Sequence, residues 1–233
     1  MKLIYAVLFL SLVVTSKAAS ATSFEGDVLT PTKEVCDKFI EEGVKQREPD
    51  LSRPYADSLF VSQLDTVARC LYKRDRSKLA IEFWLLASSY GSTSGGELGG
   101  VFLIVHAENA LQMHAGVALL RQTAERSAQV MNRYHIFRAL ALLQGKFEKR
   151  NRKLALKNLV DAWKAGSAQA PYLIAYFIEK GIYKKSEKLS SAYWKKEGDK
   201  LSGNIGYDHF IDNALLSDVY GPFLKGIRNG QDD

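Results

Sequence analysis

The feature that most constrains this chain is the stretch 152–188, which has the pattern of two amphipathic helices joined at a glycine. Its small residues are regularly placed, at Ala155, Ala162, Gly166, Ala170, Ala175 and Gly181. A residue just past a helix end often needs a positive φ, which glycine adopts without a steric clash, so Gly166 and Gly181 are predicted to end the two helices. Alanines on the second helix leave room for a neighbouring helix to approach closely. The stretch is therefore predicted to form a helical hairpin.

Weaker copies of this hairpin recur with a period of about 37 residues. Two periods earlier, the K-L-A string that begins at Lys78 matches the one that begins at Lys153, and Gly91 matches Gly166. A helix-turn-helix in each period is typical of an α-solenoid, in which each hairpin buries its apolar face against the next. We therefore predict an all-α fold, an α-solenoid of stacked helix-turn-helix repeats over residues 75–218.

These copies resemble the Sel-one-like repeat, a relative of the tetratricopeptide repeat. The best copy matches it at Ala155, Leu159, Ala162, Gly166, Ala170, Ile174, Ala175, Ile178 and Gly181. Ala175 stands where that repeat usually has glycine, and Ile178 where it usually has tyrosine. A second copy matches at Ala80, Trp84, Ala87, Gly91, Gly95, Gly99, Gly100 and Leu103. The resemblance covers about two-thirds of the chain, and it implies a right-handed superhelix that binds another protein.

Residues 1–21 are predicted to be a cleaved secretory signal peptide. Lys2 provides a positive n-region, residues 3–14 form an apolar run, and residues 19–21 supply an A-x-A cleavage site. The apolar run is shorter than the roughly 20 residues that a membrane span needs. We therefore expect a periplasmic or secreted protein without a transmembrane segment in the mature chain.

The mature chain has two cysteines, Cys36 and Cys70. An even count in an oxidising compartment favours a disulfide. Cys36 falls on a predicted helix at 32–46 and Cys70 on one at 55–73, so the bond would staple an N-terminal hairpin within residues 22–74. A redox or metal role is disfavoured, because the sequence has no C-x-x-C motif. Disulfide-stapled hairpins are also what the resemblance to secreted members of the repeat family implies.

The sequence shows no catalytic constellation, so we predict no enzymatic activity and no cofactor. It contains neither an S-x-x-K tetrad nor a G-x-S-x-G elbow. The glycine-rich segment 91–100 lacks the order of a phosphate-binding loop. Gly91 is predicted to end a helix, and Gly95, Gly99 and Gly100 are predicted to be helix-packing positions. His106 and His114 flank a predicted turn, but a metal site would need a third ligand, for which Glu108 is a weak candidate. No metal site is predicted.

Basic residues gather in the loops that join successive hairpins, at 73–76, 146–153 and 184–185. The net charge of +6 falls to +4 when Lys2 and Lys17 leave with the signal peptide. Equivalent loops of a solenoid lie on one side, so these residues predict a basic edge that could attract an acidic protein or an anionic membrane surface. Ordinary solvated loop charge is the alternative. A nucleic-acid partner is not predicted, because basic and aromatic residues do not alternate.

Most aromatic residues at helical spacing are expected in the core, but some should lie on the concave face, where they would be hot spots for a bound protein. The candidates are Trp163, Tyr172, Tyr176 and Trp194, with Lys184 and Lys185 at the rim. The predicted function is that of an adaptor or scaffold in an envelope assembly. The alternatives are an immunity protein that neutralises a toxic effector enzyme and, less favoured, a cell-wall hydrolase. Residues 219–233 are predicted to be a C-terminal tail.

Overall fold

The computed structural model of the chain describes residues 34, 36–38, 58–184, 190–203 and 205–227. The secondary structure of these residues is all α-helix, without a strand, as predicted. Their helices are α1 (Ser58–Lys73), α2 (Ser77–Ser89), α3 (Thr93–Val105), α4 (Ala110–Ala124), α5 (Ala128–Gln144), α6 (Arg152–Lys164), α7 (Gln169–Glu179), α8 (Ser191–Ser202), α9 (Tyr207–Leu216) and α10 (Gly221–Gly226). The predicted signal peptide, most of the predicted helix 32–46 and Lys185 lie outside the described residues.

The helices pack in two layers. Each helix contacts the next one along the chain, and further contacts join α3 to α5, α7 to α9 and α5 to α10. About half or more of the residues of α3, α5 and α7 are buried, against a third or fewer in α2, α4, α6 and α8, and we call the first set the inner layer and the second the outer layer. The burial of the two layers differs accordingly: nine of the eleven residues of α7 are buried, but only three of the twelve residues of α8.

Trp84 on α2 is a core residue, as its position in the repeat pattern predicted. Its indole stacks on Phe102 of α3 with ring centroids 4.8 Å apart. The indole Nε1 donates a hydrogen bond of 3.0 Å to Asp65 on α1. One buried side chain thus joins three consecutive helices, and its polar atom is satisfied, which a buried indole requires.

The glycine-rich segment forms helix α3, and its glycines lie against the neighbouring helices. A Cβ atom on Gly95 would lie 2.8 Å from Ala87 Cβ of α2, and one on Gly100 would lie 2.7 Å from Leu120 Cγ of α4. Glycine inside a helix costs about 1 kcal/mol relative to alanine. Here it lets the backbone of α3 approach both neighbours closely, which confirms the packing interpretation of this segment.

The glycines predicted to end helices do so. Gly91, Gly166 and Gly181 have φ values of +87°, +93° and +72°. After α6, the N–H of Gly166 donates to Trp163 O at 2.9 Å and the N–H of Ser167 donates to Ala162 O at 3.0 Å. These bonds satisfy carbonyl groups that the helix end leaves free.

The beginning of the predicted C-terminal tail is part of the folded structure. Residues Val219, Tyr220, Phe223 and Leu224 are buried, and α10 packs on α5 and α9. The Phe137 ring of α5 lies 5.6 Å from the Tyr220 ring and 6.1 Å from the Phe223 ring. Two aromatic residues three positions apart share one face of a helical turn, and this spacing is a signal of packing against the core. The folded part of the chain thus extends past the predicted boundary at residue 219, and residues 228–233 lie outside the described part.

The predicted disulfide between Cys36 and Cys70 is present. The two Cα atoms lie 5.2 Å apart, and 34 positions separate the residues in the sequence. Cys36–Lys38 are helical, and Asp37 forms an ion pair with Arg74 just after α1. The bond therefore fastens the N-terminal segment to the first helix of the stack.

Candidate functional site

Three of the four aromatic residues predicted to contact a partner lie in the interior. Tyr172 is 1% exposed, Tyr176 7% and Trp194 6%. The prediction assumed an uncovered concave face, but α7 is enclosed by α6, α8 and α9. Of the remaining candidates, Trp163 is half-buried and Lys184 is exposed, while Lys185 lies outside the described residues.

Tyr172 holds helix α8 and the turn after it against α7. Its hydroxyl donates a hydrogen bond of 2.7 Å to Asp199 and lies 2.8 Å from Ser202 Oγ. Burial raises the pKa of this hydroxyl to about 12, and the nearby Asp199 carboxylate adds to the shift. The ring lies directly over Gly198, where only a glycine leaves enough room. In this arrangement Tyr172 is a structural residue rather than a surface contact.

We expect Gly198→Ala to lower the free energy of unfolding by about 1–2 kcal/mol, because overpacking outweighs the gain in helix propensity. The new Cβ atom would lie 2.3 Å from Cε1 of Tyr172. Urea unfolding of both proteins measures the difference. Lys196→Ala, at an exposed position of the same helix, is the control and should change stability by less than about 0.5 kcal/mol. A Gly198→Ala variant as stable as wild type would contradict this packing.

An aromatic cluster that includes the exposed Tyr193 lies on the outer layer, where α6 meets α8. The Trp163 and Trp194 rings pack edge to face at 5.1 Å, and Tyr193 packs against Trp194 at 5.2 Å. Tyr193 is 46% exposed. Sequence reasoning missed Tyr193, although its position beside the buried Trp194 on an amphipathic helix was an available signal.

The basic loops predicted from the sequence lie at one end of the helix stack and contact one another. Lys78 at the start of α2 pairs with Glu108 in the next loop at 2.8 Å. The Lys146 Nζ atom donates to Ala107 O at 3.2 Å, and so joins that loop to the one after α5. Farther along, Arg152 lies close enough to the buried Tyr183 hydroxyl to counteract the rise in its pKa that burial causes. We call residues 73–78, 106–109, 145–153 and 180–184 the loop edge.

Positive charge is concentrated at the loop edge. Its interhelical connections, within the described residues, carry seven Lys and Arg residues: Arg74, Arg76, Lys146, Lys149, Arg150, Lys180 and Lys184. The connections at the opposite end, between α2 and α3, α4 and α5, α6 and α7, and α8 and α9, carry only Arg126 in the described part. The two ends of the stack thus differ strongly in charge, although the net charge of the chain is modest.

His106 is a titratable group of the loop edge. Its ring lies 6.1 Å from the Phe102 ring and 6.2 Å from the Tyr72 ring. Partial burial against these rings lowers the pKa of His106, and the Asp218 carboxylate opposes this effect. The unfolded chain therefore takes up a proton at His106 at a higher pH than the folded chain does.

From this difference we expect the stability that His106 contributes to be complete above about pH 6.5 and to be lost as the pH falls through its lowered folded pKa. The urea midpoint of wild type should fall more between about pH 7.5 and pH 5 than that of His106→Phe, which keeps a ring but cannot titrate. Asp218→Asn should steepen the loss, because the opposing charge is gone. Parallel pH profiles for wild type and His106→Phe would contradict this account.

Other potential sites are limited. A small polar cleft at the opposite end of the stack is lined by Ser88, Ser92, Thr93, Gln122, Thr123 and Arg126. Within the described ranges, no group of three or more His, Cys, Asp or Glu side chains is placed to hold a metal ion. The helices of the described part include none with the length and apolar character needed to cross a membrane.

Comparison with known proteins gave no match: neither a family model, nor a curated protein, nor a solved structure is similar to the chain.

Proposed function

We propose that this protein is a periplasmic or secreted Sel-one-like repeat module, a solenoid that binds another protein as an adaptor or scaffold in an envelope assembly. The observation that carries the proposal is the alternation of outer and inner helices. The outer helices begin at residues 77, 110, 152 and 191, at spacings of 33, 42 and 39 residues that lie around the 37-residue period of the sequence. Stacked repeats of this kind present extended binding surfaces.

The burial of the inner aromatic residues shifts the expected binding surface to the outer layer and the loop edge. Both regions combine exposed apolar side chains with exposed positive charge, as in Leu111, Tyr193 and Lys184. Binding interfaces commonly surround a few apolar or aromatic anchors with polar residues.

The immunity-protein alternative is favoured by the way both ends of the described helix stack are fastened. The disulfide holds the N-terminal segment on α1, and α10 is buried against α5 and α9. A rigid protein loses little conformational entropy on binding, which is the property that a tight inhibitor requires. Such a protein would bind one enzyme and block its active site, whereas an adaptor would bind several components more weakly.

An affinity capture from native envelope tests the proposal. Residues 22–233 with the disulfide intact serve as bait, and an unrelated helical protein of equal net charge serves as control. Several partners that copurify at low stoichiometry and bind the pure protein in titrations would support the adaptor. One stoichiometric enzyme that loses activity on titration, particularly one encoded by a neighbouring gene, would identify an immunity protein. Capture that does not exceed the control would refute protein binding.

A further inference from the structure

Several cations of the loop edge have no acidic partner. Arg74 and Lys78 are neutralised by Asp37 and Glu108, and Glu148 pairs with Arg138. In contrast, six cations form no ion pair within the described part of the chain: Lys73, Arg76, Lys149, Arg150, Lys153 and Lys184. Of the three acids of the loop edge, Glu108 and Glu148 are thus used and Asp75 is the third, so positive charge is in surplus among its described residues.

A row of exposed apolar residues runs beside these cations. The first turn of each outer helix carries one: Leu79 on α2, Leu111 on α4, Leu154 on α6 and Tyr193 on α8. The first turns follow the loops of the loop edge, so the apolar row and the basic loops adjoin each other. The pattern repeats with the helix pairs, and in two of them a lysine directly precedes the leucine, at Lys78-Leu79 and Lys153-Leu154.

The segment 145–153, which carries three of these six cations, is held in a defined conformation. The N–H of Asn151 donates to Leu142 O at 3.2 Å, and the Asn151 side chain accepts a 2.9 Å hydrogen bond from the N–H of Leu154. Lys146 lies 4.5 Å from the centre of the Phe147 ring and reaches the preceding loop. Little conformational freedom of this backbone remains to be lost on binding.

We propose that the loop edge and the adjoining row of Leu79, Leu111, Leu154 and Tyr193 bind an extended acidic segment of a partner protein, with an apolar side chain at about every third position. We take the usual packing distance of helices, about 8–10 Å, as the step from one outer helix to the next. An extended chain in the polyproline II conformation advances about 3.1 Å per residue with three residues per turn, so every third side chain lies on one face and three residues span one helix pair. This inference rests on the proposed function and specifies the partner's chemistry.

The shape of the row favours a protein segment over a membrane surface. Insertion into lipid headgroups requires protruding side chains, but Leu79 and Leu154 are only 37% and 38% exposed. Leu111, at 80%, is the one leucine of the row that projects freely. Partly buried apolar side chains beside fixed cations are suited to contact every third side chain of an extended segment.

The test uses a fluorescent synthetic peptide of about thirteen residues, with leucine at every third position and glutamate elsewhere, matching the three residues per turn of the polyproline II conformation. Residues 22–233 are titrated by fluorescence anisotropy at low and high salt. We expect binding that weakens with salt, because exposed charges are screened. A peptide with lysine in place of glutamate should not bind. A peptide with serine in place of leucine should bind more weakly than the acidic leucine peptide.

Two matched charge reversals separate a specific surface from net charge. The variant K149E/R150E/K153E should weaken binding at least about tenfold, as expected when several complementary charges are reversed. The variant R121E/R126E/K164E makes the same charge change at the opposite end and should remain within about threefold of wild type. Leu111→Ser should weaken binding without unfolding the protein, because the side chain is largely in solvent. Circular dichroism verifies the fold of every variant.

Two outcomes would overturn the inference: equal weakening by both triple variants, or no binding of the acidic peptide to wild type. Vesicles of phosphatidylglycerol and phosphatidylethanolamine provide the other comparison. Cosedimentation with these vesicles, abolished by K149E/R150E/K153E, without peptide binding would assign the edge to a membrane surface instead. The envelope capture is repeated with K149E/R150E/K153E. Undiminished capture would reject this surface while leaving the proposed function intact, whereas absence of capture by wild type would reject the proposed function itself.

Discussion

Replacing Phe137 with alanine is expected to lower the free energy of unfolding by about 3–5 kcal/mol, the usual cost of removing a fully buried aromatic ring. Phe137 is fully buried on α5, and its ring contacts those of Tyr220 and Phe223. The substitution therefore leaves a cavity and also removes the main attachment of the C-terminal segment. Equilibrium urea unfolding, followed by circular dichroism, measures the loss.

Gln129→Ala, at an exposed position of α5, is the control for this experiment and should change stability by less than about 0.5 kcal/mol. Limited proteolysis gives a second readout, because Phe137→Ala should expose the chain after α9 to cleavage before the rest of the protein unfolds. A loss below about 1 kcal/mol, with the C-terminal segment still protected, would show that Phe137 does not anchor α10.

Removing the disulfide with the double substitution C36A/C70A is expected to cost about 3–4 kcal/mol. The bond closes a loop of 34 positions. Without it the unfolded chain gains the conformational entropy that the cross-link removes, so unfolding becomes more favourable. Alanine is the suitable replacement because both cysteines are buried, and serine would bury a hydroxyl group. Chemical denaturation of the oxidised wild type and of the variant gives the difference.

Wild type treated with reductant is the matched control for the disulfide and should agree with C36A/C70A to within about 1 kcal/mol. Agreement would assign the effect to the covalent bond rather than to lost packing of the sulfur atoms. If the oxidised wild type and the double variant unfold at the same urea concentration, the cross-link contributes nothing and the N-terminal segment is held by other contacts.

Phe137 and the disulfide each hold a segment that covers one end of the helix stack. An interior helix pair has a neighbour on each side, but a terminal pair exposes an apolar face that must be covered. At the N-terminal end, a covalent bond and the Asp37–Arg74 ion pair fasten a segment to α1. At the C-terminal end, α10 inserts Phe223 and Leu224 against the inner layer. A covalent bond therefore holds the covering segment at the N-terminal end of the stack, and apolar packing holds it at the C-terminal end.

Much of the local structure could be predicted because it depends on neighbours in the sequence. Gly166 and Gly181 end helices since they tolerate positive φ, and the spacing of small residues marked the sides on which helices approach closely. Cys36 and Cys70 could be paired because the sequence has no other cysteine. The solenoid, its period and the repeat family stay predictions.

The candidate binding residues were harder to predict because exposure depends on distant parts of the chain. Tyr172 and Trp194 belong to the residue types that are common at binding hot spots. An aromatic residue at helical spacing, however, fits a core position or a binding face equally well. Only the position of α8 over α7 decides that both are buried. The sequence likewise carries no signal for the partly buried ion pair of Glu97 and Arg133, which joins α3 to α5 across 36 positions.

The helical character of the protein, its helix ends and its cysteine pairing could be predicted from the sequence alone, because they follow from backbone preferences and from residue counts. Tertiary structure alone decided which aromatic residues face solvent, that Tyr220 and Phe223 return to the core, and that the basic loops meet at one end. The physical reason is that burial and charge proximity are sums over residues far apart in the chain, which local patterns do not encode.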